Sequence, residues 1–266
     1  MVDEAGKRPP VTSITSRDNP LLKDLRRLAQ ENTAYKKQQR VWLEGDHLCR
    51  AALARGELPA LAIFSESNWP PGLANIAQIA IKNIVIPDRL FKELSGLESP
   101  SNVAYVLDLP RSSAILPDVS TVILDRVQDA GNVGSILRSA AAFGFHQVLA
   151  LAGTAALWSP KVLRAGMGAH FGLALHEGLD LAALDALTIP LIATSSHTGN
   201  LIHQQAFRGP CAWVLGHEGQ GVRAELLARA SFTVRIAQPG GEESLNVAAA
   251  AAICLHASAA SQLRQL

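Results

Sequence analysis

Three short polar clusters in the C-terminal half combine residue types that can bind and turn over a small molecule. The first is Asn132-x-Gly134-x-x-x-Arg138, within DAGNVGSILRSAAAFG (129–144). The second is Gly216-His217-Glu218-Gly219-Gln220-Gly221; the third is Ser244-Leu245-Asn246-Val247, behind Pro239-Gly240-Gly241. Each ends an apolar run. Glycines in such turns permit positive φ and let a ligand approach the backbone closely. Asn132 can cap a helix by accepting from backbone N–H groups, and Arg138 follows two turns later, about 9 Å along the axis. A guanidinium keeps its proton at ordinary pH, so Arg138 is a permanent cation with a planar fork for two oxygens. Ser244 after a proline–glycine turn reads as a helix N-cap. Taken singly, each cluster is ordinary turn-and-cap chemistry.

A sheet must hold these turns in place. TVILD (121–125), QVLAL (147–151), PLIAT (190–194), AWVLG (212–216) and FTVRIA (232–237) are short apolar runs without alternation, the pattern of parallel strands covered on both faces. Helical patterns lie between them, and a last helix is expected over 244–263. Strand–helix alternation predicts a doubly wound α/β domain over 121–266. Ligands of such sheets sit outside the carboxyl ends of the strands, where all three clusters fall. RSSAILPDVS (111–120) reads as a linker. Before it, a smaller α/β unit is expected over 16–110. Its first helix starts at Asn19-Pro20, with Leu21, Leu22, Leu25 and Leu28 on one face. VWLEG (41–45), ALAIFSE (60–66), KNIVIPD (82–88) and VAYVLDL (103–109) supply its strands. Residues 1–15 read as a flexible tail.

Composition narrows the class. The chain has 266 residues, 48% of them apolar, and a net charge of +1, so overall charge does not announce a nucleic-acid partner. The distribution is more telling: residues 16–40 carry seven Lys/Arg against three acids, whereas 111–266 balance ten with ten. A basic segment on a neutral body can meet phosphates or be a solvated face. Cys49, Cys211 and Cys254 form no CxxC pair and read as buried apolar residues in a reducing compartment. No metal-ligand spacing is visible, and HEGQG lacks the second histidine of a zincin helix. No targeting segment or membrane span is expected, which points to the cytoplasm.

In this order and at these spacings the clusters resemble the three motifs of the SPOUT superfamily, in its SpoU–TrmH branch of RNA ribose 2′-O-methyltransferases. The resemblance is strong over roughly 119–266 and looser upstream, where ITSRDNPLLKDLRRL and VWLEGDH match the small α/β/α RNA-binding domain that precedes many members. It implies a parallel-sheet domain with a deep trefoil knot, a homodimer, S-adenosylmethionine as cofactor, and transfer of its methyl group to a ribose hydroxyl. Ribosomal RNA is favoured over transfer RNA because of the extra N-terminal domain. Asn132, Arg138, Glu218, Ser244 and Asn246 match the family's catalytic positions, with Glu218 placed to hold Arg138 or Asn132; His217 stands at a variable place. Backbone at Gly216, Ile236 and Leu245 corresponds to the cofactor cradle, with Glu218, Gly221, Thr194 and Ser195 beside it. SPKVLRAGMGAHF (159–171) is similar to a further family segment, with Gly166 where serine is usual. Lys161 and Arg164 there, and Lys23, Arg26 and Arg27 upstream, are the candidate RNA contacts, together with Arg138. A catalytically silent RNA-binding or ribosome-assembly protein of the same fold remains an alternative. A nucleotide-phosphate enzyme is disfavoured, because no G-x-G-x-x-G follows the first strand of either unit.

Overall fold

The computed structural model describes residues 10–69, 80–241 and 243–263. Residues 1–9 of the expected tail and 70–79 of the first unit lie outside them. The chain opens with β1 (Val11–Ser13), α1 (Pro20–Gln30), α2 (Ala34–Gln38), β2 (Arg40–Glu44), α3 (Asp46–Ala54), β3 (Leu61–Ser65), β4 (Lys82–Ile86), α4 (Asp88–Leu94) and β5 (Val103–Asp108). These strands form one mixed sheet in the order β1-β4-β3-β5-β2. β1, β4 and β3 run parallel, and β5 is antiparallel to both β3 and β2. The start of α1 follows from its sequence. Asn19 Oδ1 accepts from Leu21 N at 2.9 Å, and Pro20 supplies a preset helical φ. Leu22, Leu25 and Leu28 are buried, leaving Lys23 and Arg27 outward. The expected tail is corrected at Val11–Ser13: this stretch extends the sheet by pairing with β4, because its backbone groups find partners along an open edge.

The chain continues through β6 (Thr121–Leu124), α5 (Ala130–Ala142), β7 (Gln147–Leu151), α6 (Pro160–Gly166), β8 (Ala174–Leu179), β9 (Leu191–Thr194), β10 (Asn200–Leu201), β11 (Ala212–Leu215), α7 (Ala224–Arg229), β12 (Phe232–Arg235) and α8 (Val247–Leu263). The seven strands pair only in parallel, in the order β10-β12-β9-β11-β6-β7-β8. β6, β7 and β11 are buried along their whole length, as runs without alternation require. One face packs Ile123, Leu149, Ala193 and Val214 with Leu184, Val222 and Leu226. On β11, Trp213 turns the other way and donates from Nε1 to Ser258 Oγ of α8 at 2.8 Å.

Two elements differ from the sequence expectation. β8 and β10 carry polar residues (His176, Glu177, Asn200) and sit at the two sheet edges, so they lack the apolar signature of central strands. The compact units also divide unexpectedly: Trp158–Phe171, with α6, packs with residues up to Pro110, and the second unit takes 111–157 and 172 onward. Trp158, Val162, Leu163 and His170 are buried within this stretch. No helix among the described residues is long and apolar enough to cross a membrane.

Candidate active site

A cleft of about 470 Å³ opens at the carboxyl ends of β9, β11 and β12, the end of a parallel sheet where ligands bind. Thr194, Ser195, Gly216, Glu218, Gly221, Ile236 and Leu245 all line it. After β9, Thr194 Oγ1 donates to Val214 O at 3.0 Å, and Ser195 N donates to Val234 O at 3.0 Å. Ser195 Oγ accepts from His197 N and Thr198 N, both at 3.2 Å, so that loop is fixed on both flanking strands.

After β11 the chain closes a tight turn. His217 N donates to Gly221 O at 3.1 Å and Gly221 N donates back to His217 O at 2.8 Å. The sequence assigned Gly216 to close ligand approach. In the structure, a Cβ added at Gly216 would overlap the backbone of Gly221 and Val222, so the turn itself demands the glycine. Gly221 is the one that leaves room: its φ is +68° and an added Cβ would meet no protein atom. His217 has a part that spacing did not reveal. Its Nδ1 accepts from Gly219 N at 2.9 Å and Gln220 N at 3.2 Å, which places the proton of the neutral ring on Nε2.

A polar chain ties the three clusters together. Glu218 accepts from Gln128 N (3.2 Å), Asp129 N (3.1 Å) and Asn132 Nδ2 (3.1 Å). Asn132 Oδ1 accepts from Asn246 Nδ2 at 2.9 Å. Asn246 Oδ1 then accepts from Ala248 N at 2.9 Å and Ala249 N at 3.2 Å. Partial burial disfavours the Glu218 carboxylate, but the hydrogen bonds from Asn132 and the backbone outweigh this and hold its pKa below the ordinary value. A carboxylate at the start of α5 also meets the positive end of the helix dipole.

Two expectations are corrected here, and of the two partners expected for Glu218 one is found. Asp129, not Asn132, caps α5, accepting from Asn132 N at 2.7 Å; this frees the Asn132 amide to bridge the other clusters. Asn246, not Ser244, caps the last helix, which starts at Val247, so Ser244 lines the cleft with its hydroxyl uncommitted to a cap. Glu218 holds Asn132 and not Arg138, which is exposed on α5 and does not line the cleft.

The upstream cations lie in the first unit. Arg27 and Lys161 are exposed. Lys23 pairs with Asp18 at 3.1 Å and Arg26 with Glu93 at 3.1 Å. Arg164 is half-buried in α6, which limits its reach outward.

Known proteins resemble this chain in sequence and fold. Residues 120–256 match the model of the SpoU rRNA Methylase family. An uncharacterized tRNA/rRNA methyltransferase of Synechocystis is 33% identical over 92% of this chain and 93% of its own. The chain belongs to the SpoU rRNA methylase family. Within it, the 23S rRNA (guanosine(2553)-2′-O)-methyltransferase RlmP of Bacillus subtilis is 28% identical over 91% of this chain and 97% of its own. The crystal structure of an RNA 2′-O ribose methyltransferase superposes with a TM-score of 0.80 at 30% identity, covering 96% of this chain and all 100% of that one. The AdoMet-bound rRNA methyltransferase of Sinorhizobium meliloti gives 0.81 at 25% identity over 93% and 97% of the two chains. The resemblance read from the three clusters is thus borne out, as is the parallel-sheet fold.

Proposed function

We propose that this chain transfers the methyl group of S-adenosylmethionine to a ribose 2′-hydroxyl of ribosomal RNA. The observation that carries the proposal is the chain Glu218–Asn132–Asn246, which joins all three clusters beside one cleft. Relatives that name the reaction, including one that methylates a guanosine 2′-oxygen of 23S rRNA, support catalysis over the silent alternative.

The cleft suits such a cofactor. Its size lies within the range of small-molecule sites. Leu227, Val234, Val247 and Ala250 give it an apolar side, and Gly221 leaves open space where any side chain would stand. Gly216, Ile236 and Leu245 would hold the cofactor through their backbone, with Thr194 and Ser195 as the remaining wall. Bound there, S-adenosylmethionine supplies an electrophilic methyl group on a sulfonium. The protein has to align the ribose hydroxyl with that methyl and ease loss of its proton; positioning of this kind contributes much of an enzyme's rate. Ser244, which lines the cleft, and Asn132 and Asn246, fixed by their mutual bond and joined to the cleft through Glu218, are the polar groups suited to that alignment. Arg138 keeps its proton, so it acts as a cation that grips the neighbouring phosphate and stabilises negative charge growing on the ribose oxygen.

The first unit is the RNA-binding part of this proposal, with Lys23, Arg26 and Arg27 of α1 and Lys161 and Arg164 of α6 toward the backbone phosphates. The homodimer, the trefoil knot, a cytoplasmic location and independence of metal complete it, on the strength of family membership and sequence composition. Calorimetry tests the core of the reading: micromolar binding of S-adenosylmethionine supports it, and a folded protein that binds neither the cofactor nor S-adenosylhomocysteine overturns it.

A further inference from the structure

At the end of β6, outside the three clusters, a buried carboxylate gathers two arginines. Asp125 is 0% exposed. Its Oδ1 accepts from Arg126 Nε at 3.0 Å and Arg223 Nε at 2.6 Å, and its Oδ2 from Arg126 Nη2 at 3.2 Å and Arg223 N at 2.9 Å. The Arg223 Nη2 closes on Oδ1 as well. Arg126 spends its remaining arm on Gln220 Oε1 at 2.9 Å. So both partners of the carboxylate lead into the Gly216–Val222 turn: Arg223 directly follows it, and Arg126 reaches its outer residue, Gln220.

Arg126 is held in an unusual backbone conformation. Its φ is +60°, a region that disfavours side chains other than glycine, asparagine and aspartate. Arg126 N donates to Thr154 Oγ1 at 3.1 Å, and the side-chain stem packs where a Cβ on Gly153 would stand, at 3.1 Å. Strain of this kind persists where surrounding contacts over-determine it, and it concentrates near functional sites. Two residues later the same segment presents Gln128 N and Asp129 N to Glu218. The stretch from Asp125 to Asp129 therefore grips the turn at Glu218 and Gln220 and the residue that follows it, Arg223. A carboxylate sequestered with two guanidinium groups contributes little net stability compared with an apolar filling, whereas its bidentate geometry fixes orientation.

We propose that Asp125 and Arg126 are positioning residues that lock the Gly216–Val222 turn to the end of β6, and so set the cofactor wall and the placement of Glu218. The proposal rests on the reading of the cleft as the cofactor site. Neither residue lines the cleft, so neither acts by touching the ligand.

Arg126→Gly is the informative variant, because glycine suits the positive φ while removing the grip on Asp125 and Gln220. Amide exchange in the cofactor-free protein reads the lock directly. Gly219 and Gln220 amides, held by His217, should exchange at least about tenfold faster in Arg126→Gly, equivalent to about 1.4 kcal/mol of lost protection, with protection of β6 and β7 unchanged. By calorimetry, S-adenosylhomocysteine affinity should fall about tenfold, and steady-state kinetics should show a raised cofactor KM with an unchanged RNA KM. Gln220→Ala added to Arg126→Gly should give little further loss, since its partner is already gone. Asp125→Asn should exceed Arg126→Gly in both readouts if it folds. Wild-type exchange rates and affinity in Arg126→Gly would overturn the proposal. If the folded wild type binds no S-adenosylhomocysteine, the cofactor reading fails instead, while the exchange rates still decide whether the lock exists.

Discussion

Asn132 sits at the crossing of the three clusters, and replacing it by aspartate tests that crossing. The amide donates to the Glu218 carboxylate at 3.1 Å and accepts from Asn246 at 2.9 Å. Asn132→Ala removes both bonds. A hydrogen bond to a charged group contributes about 1.5–3 kcal/mol, and exposure of Glu218 places this pair at the lower end, so a loss of about 1–2 kcal/mol is expected. Asn132→Asp keeps the acceptor for Asn246 but sets a second carboxylate against Glu218. Two like charges about 4 Å apart repel by about 1 kcal/mol in water and about 4 kcal/mol at an effective dielectric of 20. With the exposed setting, about 1–2 kcal/mol of repulsion is expected beyond the alanine variant at pH 8. The pH trends then run in opposite directions. In the wild type the folded protein holds the Glu218 pKa below its usual 4.5, so its contribution is present above that value and fades as pH falls through the lowered one. In Asn132→Asp the carboxylate pair binds a proton more tightly when folded than unfolded. The variant therefore recovers stability as pH falls toward about 5 and loses it as pH rises. Chemical denaturation of all three proteins from about pH 3 to 8.5 reads these slopes, the wild-type loss falling below pH 4.5. If Asn132→Asp follows Asn132→Ala at every pH, the two side chains are not in contact and the convergence of the clusters is refuted.

Gly216→Val should lower S-adenosylmethionine affinity at least about tenfold and also lower the melting temperature by several degrees, because overpacking costs about 1–3 kcal/mol and the new side chain meets its own turn; unchanged melting would contradict that geometry. Arg138→Ala should abolish methyl transfer while leaving cofactor affinity intact, since Arg138 does not line the cleft. Arg138→Lys should be nearly as poor if the planar fork matters, a loss of about 2.7–4 kcal/mol, whereas a rate rising through a lysine-like pKa would assign that position to proton abstraction. Neutralising Lys23, Arg26 and Arg27 together should weaken RNA binding and reduce its salt slope by about 0.9 per lost contact on duplex RNA; Arg26, tied to Glu93, should contribute least, and an unchanged slope would make α1 a solvated face only.

What the sequence made legible follows from local physics. TVIL, QVLAL and AWVL read as central strands because both their faces are buried, and the glycine turns after them could only sit at carboxyl ends. The lining of the cleft was legible for the same reason. Caps were less so. Asp129 and Asn132 are both good N-caps three residues apart, as are Ser244 and Asn246 two apart, and only the folded backbone chooses between them. β8 and β10 escaped notice because edge strands carry polar residues. Trp158–Phe171 joins the first unit through contacts that no periodicity encodes. The Asp125–Arg223 clamp spans 98 positions, a separation at which a single sequence holds no pairing signal.

The most direct measurement is methylation of ribosomal RNA, isolated from cells lacking the gene, by the purified protein with S-adenosylmethionine labelled in its methyl group. The account predicts label at a single nucleotide, on the ribose 2′-oxygen, resistant to alkaline cleavage at that position, and lost in Arg138→Ala. Label on a base, or a folded protein that binds RNA but transfers no methyl group to ribosomal RNA, would contradict it.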